Sequence, residues 1–156
     1  MSLKKWAYLA EIGSAIAVVA SLIYVGYELN QNTNAVRAGN YQALLDYADG
    51  AELILLENAD AASVVVRAES DYDSLTKEEK RRFGTYAQNV FNFWEAAYLY
   101  QRQGLLAANV WQTANIANRA FLKGQAYLEY WDRNHDAFTR DFAAYVDGII
   151  EQGGYR

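Results

Sequence analysis

The apolar residues near the start of the chain form one unbroken run instead of an amphipathic pattern. Residues 12–27 contain no charged side chain, no proline, no asparagine and no glutamine. A helix of this length extends about 24 Å, and the apolar residues before it lengthen it towards the roughly 30 Å of a bilayer core. Trp6 and Tyr27 flank the run, and lysines precede it, as is typical of a helix that crosses both membrane interfaces. The pattern predicts a membrane-anchor helix over residues 1–29.

Two other kinds of segment can have a similar apolar sequence pattern. A fully buried helix of a soluble protein can be as apolar over this length. A signal peptide also has a basic start and an apolar centre, but no small-x-small cleavage site follows this run. Glu11 lies about one helical turn inside Trp6, so a membrane helix requires its carboxylate to reach the headgroups, to be protonated or to have a partner. We favour the membrane helix over both alternatives.

Small residues are gathered on one face of this helix. Gly13, Ala17 and Ser21 recur every four positions, whereas the bulky Ile16 and Ile23 lie on the other side. Because small side chains let two helices approach closely in lipid, this face is predicted to associate with another helix. The alternative is that alanine and serine are simply common in membrane helices. The predicted helix-association face consists of Ala10, Gly13, Ser14, Ala17, Ala20 and Ser21.

The rest of the chain has helical periodicity to its end. Residues 30–58 are predicted to continue the helix as a stalk and first bundle helix, with Gly50 as a candidate bend. Residues 59–156 are predicted to form a compact bundle of about five helices in all. The chain has no proline, and alanine, leucine, glutamate and arginine are abundant. The predicted class is therefore all-α: an N-terminal transmembrane helix continuing into a stalk, then a helical bundle.

Local signals predict where the bundle helices begin and end. Thr76, followed three residues later by Glu79, is a capping box that begins a helix over residues 77–103. That helix has apolar residues on several sides, which is typical of a central helix. Gly104 is suited to a left-handed cap at its end, and Asp60 is predicted to cap a short helix before it.

Three further helices are predicted in the last third of the chain, over residues 109–121, around Tyr127 and from Phe138 to Ile149. A turn is expected near His135. The residues predicted to lie in the core of the first of these helices are Trp111, Ile116 and Phe121. The short second helix contains Tyr127, Tyr130 and Trp131, and the last has an amphipathic face of Phe138, Phe142, Tyr145 and Ile149.

Composition and charge exclude several classes of function. The 156 residues allow one bundle domain after the anchor. A net charge of −5 gives no electrostatic support to nucleic-acid binding, so no nucleic-acid partner is predicted. The chain has no cysteine, which excludes disulfides, thiolate chemistry and cysteine-ligated metals. Lys4 and Lys5 precede the span and only Arg37 follows closely, so the positive-inside rule favours a bundle outside the cytoplasm.

Metal-ligand patterns are weak. Glu129, Asp132 and His135 combine three ligand types, but a continuous helix would rotate the outer two apart. The paired Glu-x-x-His motifs of helical di-iron sites do not occur. Asp71 and Asp73 resemble the start of a calcium loop whose glycine and bidentate glutamate are missing. We therefore predict no metal, no cofactor and no catalytic residue set.

Two charged features have both a structural and a functional interpretation. Glu95 lies among aromatic residues, where a buried acid with a raised pKa can transfer protons. Such an acid more commonly pairs with a cation or a tyrosine hydroxyl, and Arg102 and Arg119 are the candidates. The basic run at residues 80–82 is predicted to be a solvated face, with contact to an anionic lipid surface as the alternative.

Segments spread over most of the chain carry a resemblance. The segments are Ser21-Leu22-Ile23-Tyr24-Val25-Gly26-Tyr27-Glu28-Leu29 before Gln31-Asn32-Thr33, Leu75-Thr76-Lys77-Glu78-Glu79 before Arg82-Phe83, Gly104-Leu105-Leu106 before Trp111, and Trp131 before Phe142, Tyr145 and Val146. In these segments the chain resembles an uncharacterised family of small bacterial single-span membrane proteins with a C-terminal helical domain. The resemblance implies a helical, membrane-anchored protein with no assigned activity. The predicted location is the bacterial inner membrane.

The leading hypothesis from these observations is a non-enzymatic, membrane-anchored accessory or scaffold subunit. Its predicted partners are the lipid bilayer and either further copies of itself or the subunits of a larger membrane complex. The alternative is a membrane-tethered sensor or binding module that holds an apolar or aromatic ligand in its bundle. The residues predicted to line that ligand are Phe91, Trp94, Glu95, Tyr98 and Trp111. A hydrolase or redox enzyme based on Glu95 is the third hypothesis.

Overall fold

The computed structural model of the chain describes residues 3–155 and contains six α-helices and no strand within that range. The predicted all-α class is confirmed: a long N-terminal helix is followed by a helical bundle. The helices are α1 (Leu3–Glu57), α2 (Ala59–Ser70), α3 (Lys77–Arg102), α4 (Ala108–Phe121), α5 (Gln125–Asn134) and α6 (Arg140–Gly153). Short 3-10 turns at Tyr72–Ser74 and His135–Ala137 follow α2 and α5.

Contacts within the chain divide it into two units, Met1–Ala38 and Gly39–Arg156. The first unit is the N-terminal part of α1, and every side chain described between Lys4 and Asn32 is exposed. Helix α1 continues through Gly50, so this glycine does not end it. The finer division predicted from the sequence, with boundaries after residues 29 and 58, stays a prediction.

Helix α3 is the centre of the second unit, because it packs against α2, α4, α5 and α6. Its buried residues are aromatic and alanine side chains spaced three and four positions apart, which places them on one inward face. Phe91 contacts the ring of Trp131 on α5, with ring centroids 4.9 Å apart. Trp94 meets Phe142 of α6 edge to face at 5.7 Å. Aromatic rings in such offset arrangements therefore make up much of this core.

A smaller cluster joins the last part of α1 to the bundle. Leu44 is buried there with Ala97 of α3 and Leu106 of the following loop. The side-chain amide of Asn40 donates a 3.2 Å hydrogen bond to the backbone carbonyl of Leu105. Leu44 and Asn40 thus connect the last part of α1 to the bundle.

The caps largely follow the sequence signals. The Thr76 hydroxyl accepts a hydrogen bond from the Glu79 backbone N–H at 3.3 Å, and the Glu79 carboxylate accepts one from the Thr76 N–H at 2.9 Å. The predicted capping box is confirmed. Gly104 has a φ of 71°, which confirms its left-handed conformation. The predicted cap at Asp60 is wrong, because Asn58 occupies the N-cap of α2.

The predicted core is wrong at Ile116, which is 71% exposed. Helix α4 directs Trp111, Asn115 and Asn118 towards its neighbours, a spacing of four and three residues that defines its inward face. Ile116 is one position further along and is therefore rotated about 100° away from Asn115. Phe138 is buried as predicted but lies before α6, which begins at Arg140.

Candidate functional site

The first part of α1 presents an extended apolar surface. An 18-residue window of this helix has a mean hydropathy of 1.9, and none of the window is buried. Leu22 and Ile23 are 67% and 69% exposed. The helix is therefore long and apolar enough to cross a membrane. Exposed apolar surface of this extent is typical of a face that lipid or another protein covers.

All six residues of the predicted helix-association face are exposed. The hydroxyl of Ser14 donates to the carbonyl of Glu11 at 2.9 Å, and that of Ser21 donates to the carbonyl of Ala17 at 2.8 Å. Because both hydroxyls are satisfied within the helix, an apolar environment leaves neither without a partner. No atom lies within 4 Å of a Cβ built at Gly13, so this face is open to an approaching helix.

The four aromatic residues predicted to line a ligand come together in the bundle core. Phe91, Trp94 and Tyr98 are 1%, 0% and 8% exposed. Tyr98 packs against both Trp111 and Tyr145, with ring centroids 6.0 and 4.9 Å apart. A ligand at this position would have to displace rings that already pack against one another. The geometry favours a role in core packing for these residues.

Glu95 is half-buried and has a backbone partner. One oxygen of its carboxylate accepts a 2.7 Å hydrogen bond from the N–H of Thr139, the residue that precedes α6. A carboxylate at this position also interacts favourably with the positive end of the helix dipole. The predicted pairing with Arg102 or Arg119 is wrong. A backbone donor carries no side-chain signal in the sequence, so sequence reasoning could not find it.

The three potential metal ligands Glu129, Asp132 and His135 do not form a metal site. Glu129 bonds Arg133 at 2.8 Å and accepts from the Gln125 side chain at 3.0 Å. His135 lies in a 3-10 turn, with its Nε2 3.4 Å from the carboxylate of Asp136. Within residues 3–155 as described, no group of three or more His, Cys, Asp or Glu side chains is placed to hold a metal ion.

The structure separates the basic run at residues 80–82 into two parts. Arg82 turns towards α2 and bonds Asp60 at 2.7 Å and Glu78 at 3.0 Å. Lys80 and Arg81 instead line a cleft between α3 and α5. Arg82 is thus neutralised by acids, whereas the other two cations belong to a different surface.

We call this surface the basic cleft. It has a volume of about 740 Å³ and lies between the first half of α3, the turn after α2, and the end of α5. Its lining residues are Tyr72, Leu75, Lys77, Lys80, Arg81, Gly84, Thr85, Gln88, Tyr130, Arg133, Asn134 and Ala137. Sequence reasoning missed this cleft because Arg133 lies far along the chain from the other three cations.

The four cations of the basic cleft differ in how well they are neutralised. Lys80 lies 3.5 Å from the carboxylate of Asp73 and 4.6 Å from the centroid of the Tyr72 ring. Arg133 pairs with Glu129, as described above. Within the described part of the chain, Lys77 and Arg81 form no ion pair. The cleft therefore has an excess of positive charge in a chain whose net charge is −5.

A second, more apolar groove lies between the end of α1, α3 and α4. Its volume is about 530 Å³, and Tyr86, Phe93 and Phe121 are among its lining residues. The Tyr47 hydroxyl donates a 3.0 Å hydrogen bond to the side-chain oxygen of Asn89 at this groove. Burial raises the pKa of Tyr86 above its ordinary value. The groove offers an apolar ligand more room than the packed aromatic core does.

Comparison with known proteins gives no family assignment. No protein-family model, curated protein or solved structure matches this chain.

Proposed function

We propose that this protein is a non-enzymatic, membrane-anchored accessory or scaffold subunit, with the first part of α1 as its single membrane span. The observation that carries the proposal is the exposed apolar window of α1, of which no residue is buried. Water is a poor solvent for such a surface, and a bilayer core covers it without cost to the bundle.

The proposed location and orientation are supported by residues before and after the span. Lys4 and Lys5 precede it, and the positive-inside rule then supports an inner-membrane protein with its bundle outside the cytoplasm. The resemblance to small bacterial single-span proteins supports a location in a bacterial membrane.

Assembly is proposed to occur through the helix-association face. Small side chains at Gly13 and Ala17, together with internally bonded serines, let a second helix pack closely without leaving polar groups unpaired. The partner helix belongs either to another copy of this chain or to a subunit of a larger membrane complex. The engagement of Glu95 with the α6 backbone supports a structural role for the acid that was the candidate for catalysis.

The test is the mass and protein content of the native particle after gentle extraction from membranes. We expect a homo-oligomer or a mixed complex. Replacing Gly13 and Ala17 by isoleucine is expected to release monomer, because branched side chains prevent close approach of the helices. The matched control is Ile16→Leu with Val19→Leu on the opposite side, which is expected to leave the particle intact. A wild-type chain that is monomeric and co-purifies with nothing would contradict the proposal.

A membrane-tethered binding module is the second candidate function. The apolar groove beside the end of α1 favours it, since its 530 Å³ is in the range of small-ligand sites. Replacing Ala117, which lines this groove, with phenylalanine is expected to reduce the binding of an apolar fluorescent probe. An unchanged affinity for the probe would exclude this groove as the ligand site.

A further inference from the structure

We propose that the basic cleft binds a phosphate-bearing ligand. This inference concerns the second unit alone and does not depend on how the anchor assembles.

The first argument is the arrangement of charge. Lys77 and Arg81 are four residues apart on α3, so their side chains share one face of the helix. Like charges at this spacing repel each other and disfavour the helix. Neither forms an ion pair in the described part of the chain, whereas the neighbouring Arg82 is bonded to two acids. A bound anion would relieve the repulsion between these two cations.

The second argument is the set of hydrogen-bond donors. The cleft combines lysine ammonium groups with the guanidinium groups of Arg81 and Arg133. An ammonium group acts as a compact positive charge, and a guanidinium group donates two parallel hydrogen bonds to neighbouring oxygens. A phosphate monoester has three terminal oxygens and more than one negative charge near neutral pH, and a phosphodiester has two such oxygens and one negative charge. Either group can therefore accept from more than one neighbouring cation.

The third argument is the shape of the cleft. Gly84 lines the cleft three residues after Arg81 on α3 and faces the ring of Tyr130. A Cβ built at Gly84 would be 3.9 Å from the nearest Tyr130 ring atom, an ordinary van der Waals contact. Packing does not require glycine there, and a longer side chain would project into the cleft. The absence of a side chain at Gly84 therefore leaves this part of the cleft open to a ligand.

Both a free phosphorylated molecule and a phospholipid headgroup have this chemistry, and two arms of one experiment distinguish them. In the first arm, the full chain in neutral phosphatidylcholine nanodiscs is titrated with inorganic pyrophosphate by calorimetry. In the second arm, nanodiscs rich in phosphatidylglycerol replace the neutral ones without soluble phosphate, and hydrogen exchange of the amides of residues 77–88 is followed. Binding in the first arm indicates a free ligand. Protection only in the second indicates a lipid headgroup.

The test variant is Lys77→Gln with Arg81→Gln, and the control is Lys123→Gln with Arg140→Gln, which removes the same charge from exposed positions outside the cleft. We expect the test variant to weaken binding roughly tenfold or more, because two charge-assisted contacts are lost. The control is expected to bind as the wild type does. An equal loss in both variants would overturn the proposal, because it would show a general effect of net charge.

A second variant tests the cleft rather than its charge. Gly84→Leu keeps all four cations and adds a bulky side chain at a residue that lines the cleft, so we expect it to lose binding. Wild-type binding by Gly84→Leu, or no response of the wild type to either pyrophosphate or phosphatidylglycerol, would overturn the proposal. The melting temperature of the test variant serves as the folding control. It is expected to be equal to that of the wild type or higher, since a repulsive pair has been removed.

Discussion

Trp94 and Tyr145 donate hydrogen bonds to the same atom. The side-chain oxygen of Asn115 accepts from the Trp94 indole N–H at 3.0 Å and from the Tyr145 hydroxyl at 2.8 Å. The three residues come from α3, α6 and α4, so one amide oxygen connects three helices of the bundle.

Replacing Asn115 with alanine is expected to lower the free energy of unfolding by about 2 kcal/mol, because the buried indole N–H of Trp94 loses its acceptor. Urea unfolding of the full chain measures this. In a double-mutant cycle with Tyr145→Phe, we expect the two losses to be less than additive, since both variants break the same hydrogen bond. Fully additive losses would show that the hydrogen bond between the Tyr145 hydroxyl and Asn115 does not contribute to stability.

The carboxylate of Glu79 is predicted to make the stability of the protein depend on pH. The guanidinium group of Arg67 bonds its carboxylate, and the N–H and hydroxyl of Thr76 add to this, so the pKa of Glu79 falls to about 2 from its ordinary 4.5. A lowered pKa in the folded state contributes stability that is fully present above the unfolded value and is lost as the pH falls towards the folded one. We expect this contribution to disappear between about pH 4.5 and pH 2.

Glu79→Gln is expected to flatten the decrease in unfolding free energy over this pH range, because the variant has no carboxylate to protonate there. Glu151→Gln, at an exposed position of α6, is the charge-matched control. Unfolding curves at several pH values provide the measurement. If both variants keep the wild-type slope, the Arg67–Glu79 pair does not contribute to acid stability.

The N-cap of α2 gives a prediction about a single side chain. The side-chain oxygen of Asn58 accepts from the N–H groups of Asp60 and Ala61, each at 3.1 Å. Asn58→Ala is expected to cost about 1 kcal/mol of stability, whereas Asn58→Asp keeps the acceptor and is expected to cost much less. Thermal unfolding distinguishes the two variants. Equal destabilisation by both would exclude capping as the cause.

Two glycines are predicted to respond oppositely to alanine. Gly84 has ordinary helical backbone and only van der Waals neighbours, so Gly84→Ala is expected to stabilise the bundle by about 0.5–1 kcal/mol. Gly104 has a φ of 71°, where a Cβ is strained, so Gly104→Ala is expected to destabilise it by about 1 kcal/mol. Chemical denaturation of both variants would show opposite signs. The same sign for both would contradict this prediction.

The proposed span gives a prediction in the membrane. Val19→Lys places a charge near the centre of the apolar run, at a cost of roughly 2.5–3.5 kcal/mol to insertion. We expect the variant to be released from membranes by alkaline carbonate. Val66→Lys, at an exposed position of α2, makes the same change outside the span and is expected to stay in the membrane fraction. Equal extraction of the wild type and both variants would argue against a membrane span.

The sequence predicts local structure here better than it predicts partners. The capping box at Thr76 and the left-handed Gly104 depend on neighbours within one turn, so a single stretch of sequence contains the whole signal. The partners of Asn115 and Glu95 lie in other segments of the chain. Which residues meet there depends on how each helix is rotated towards its neighbours. Periodicity gives that rotation only approximately, which explains why Ile116 was assigned to the core and is exposed instead. The basic cleft was missed for the same reason.

The position of the tryptophans has a spectroscopic consequence. Trp6 is 62% exposed in the first unit, whereas Trp94 and Trp131 are completely buried in the second. After replacement of Trp6 with phenylalanine, all indole fluorescence comes from the bundle, because Trp111 also packs against the bundle core. Unfolding of the bundle can then be followed by a red shift of emission while the anchor stays in a bilayer. The unmodified Trp6 would in turn report the polarity around the N-terminal end of the span.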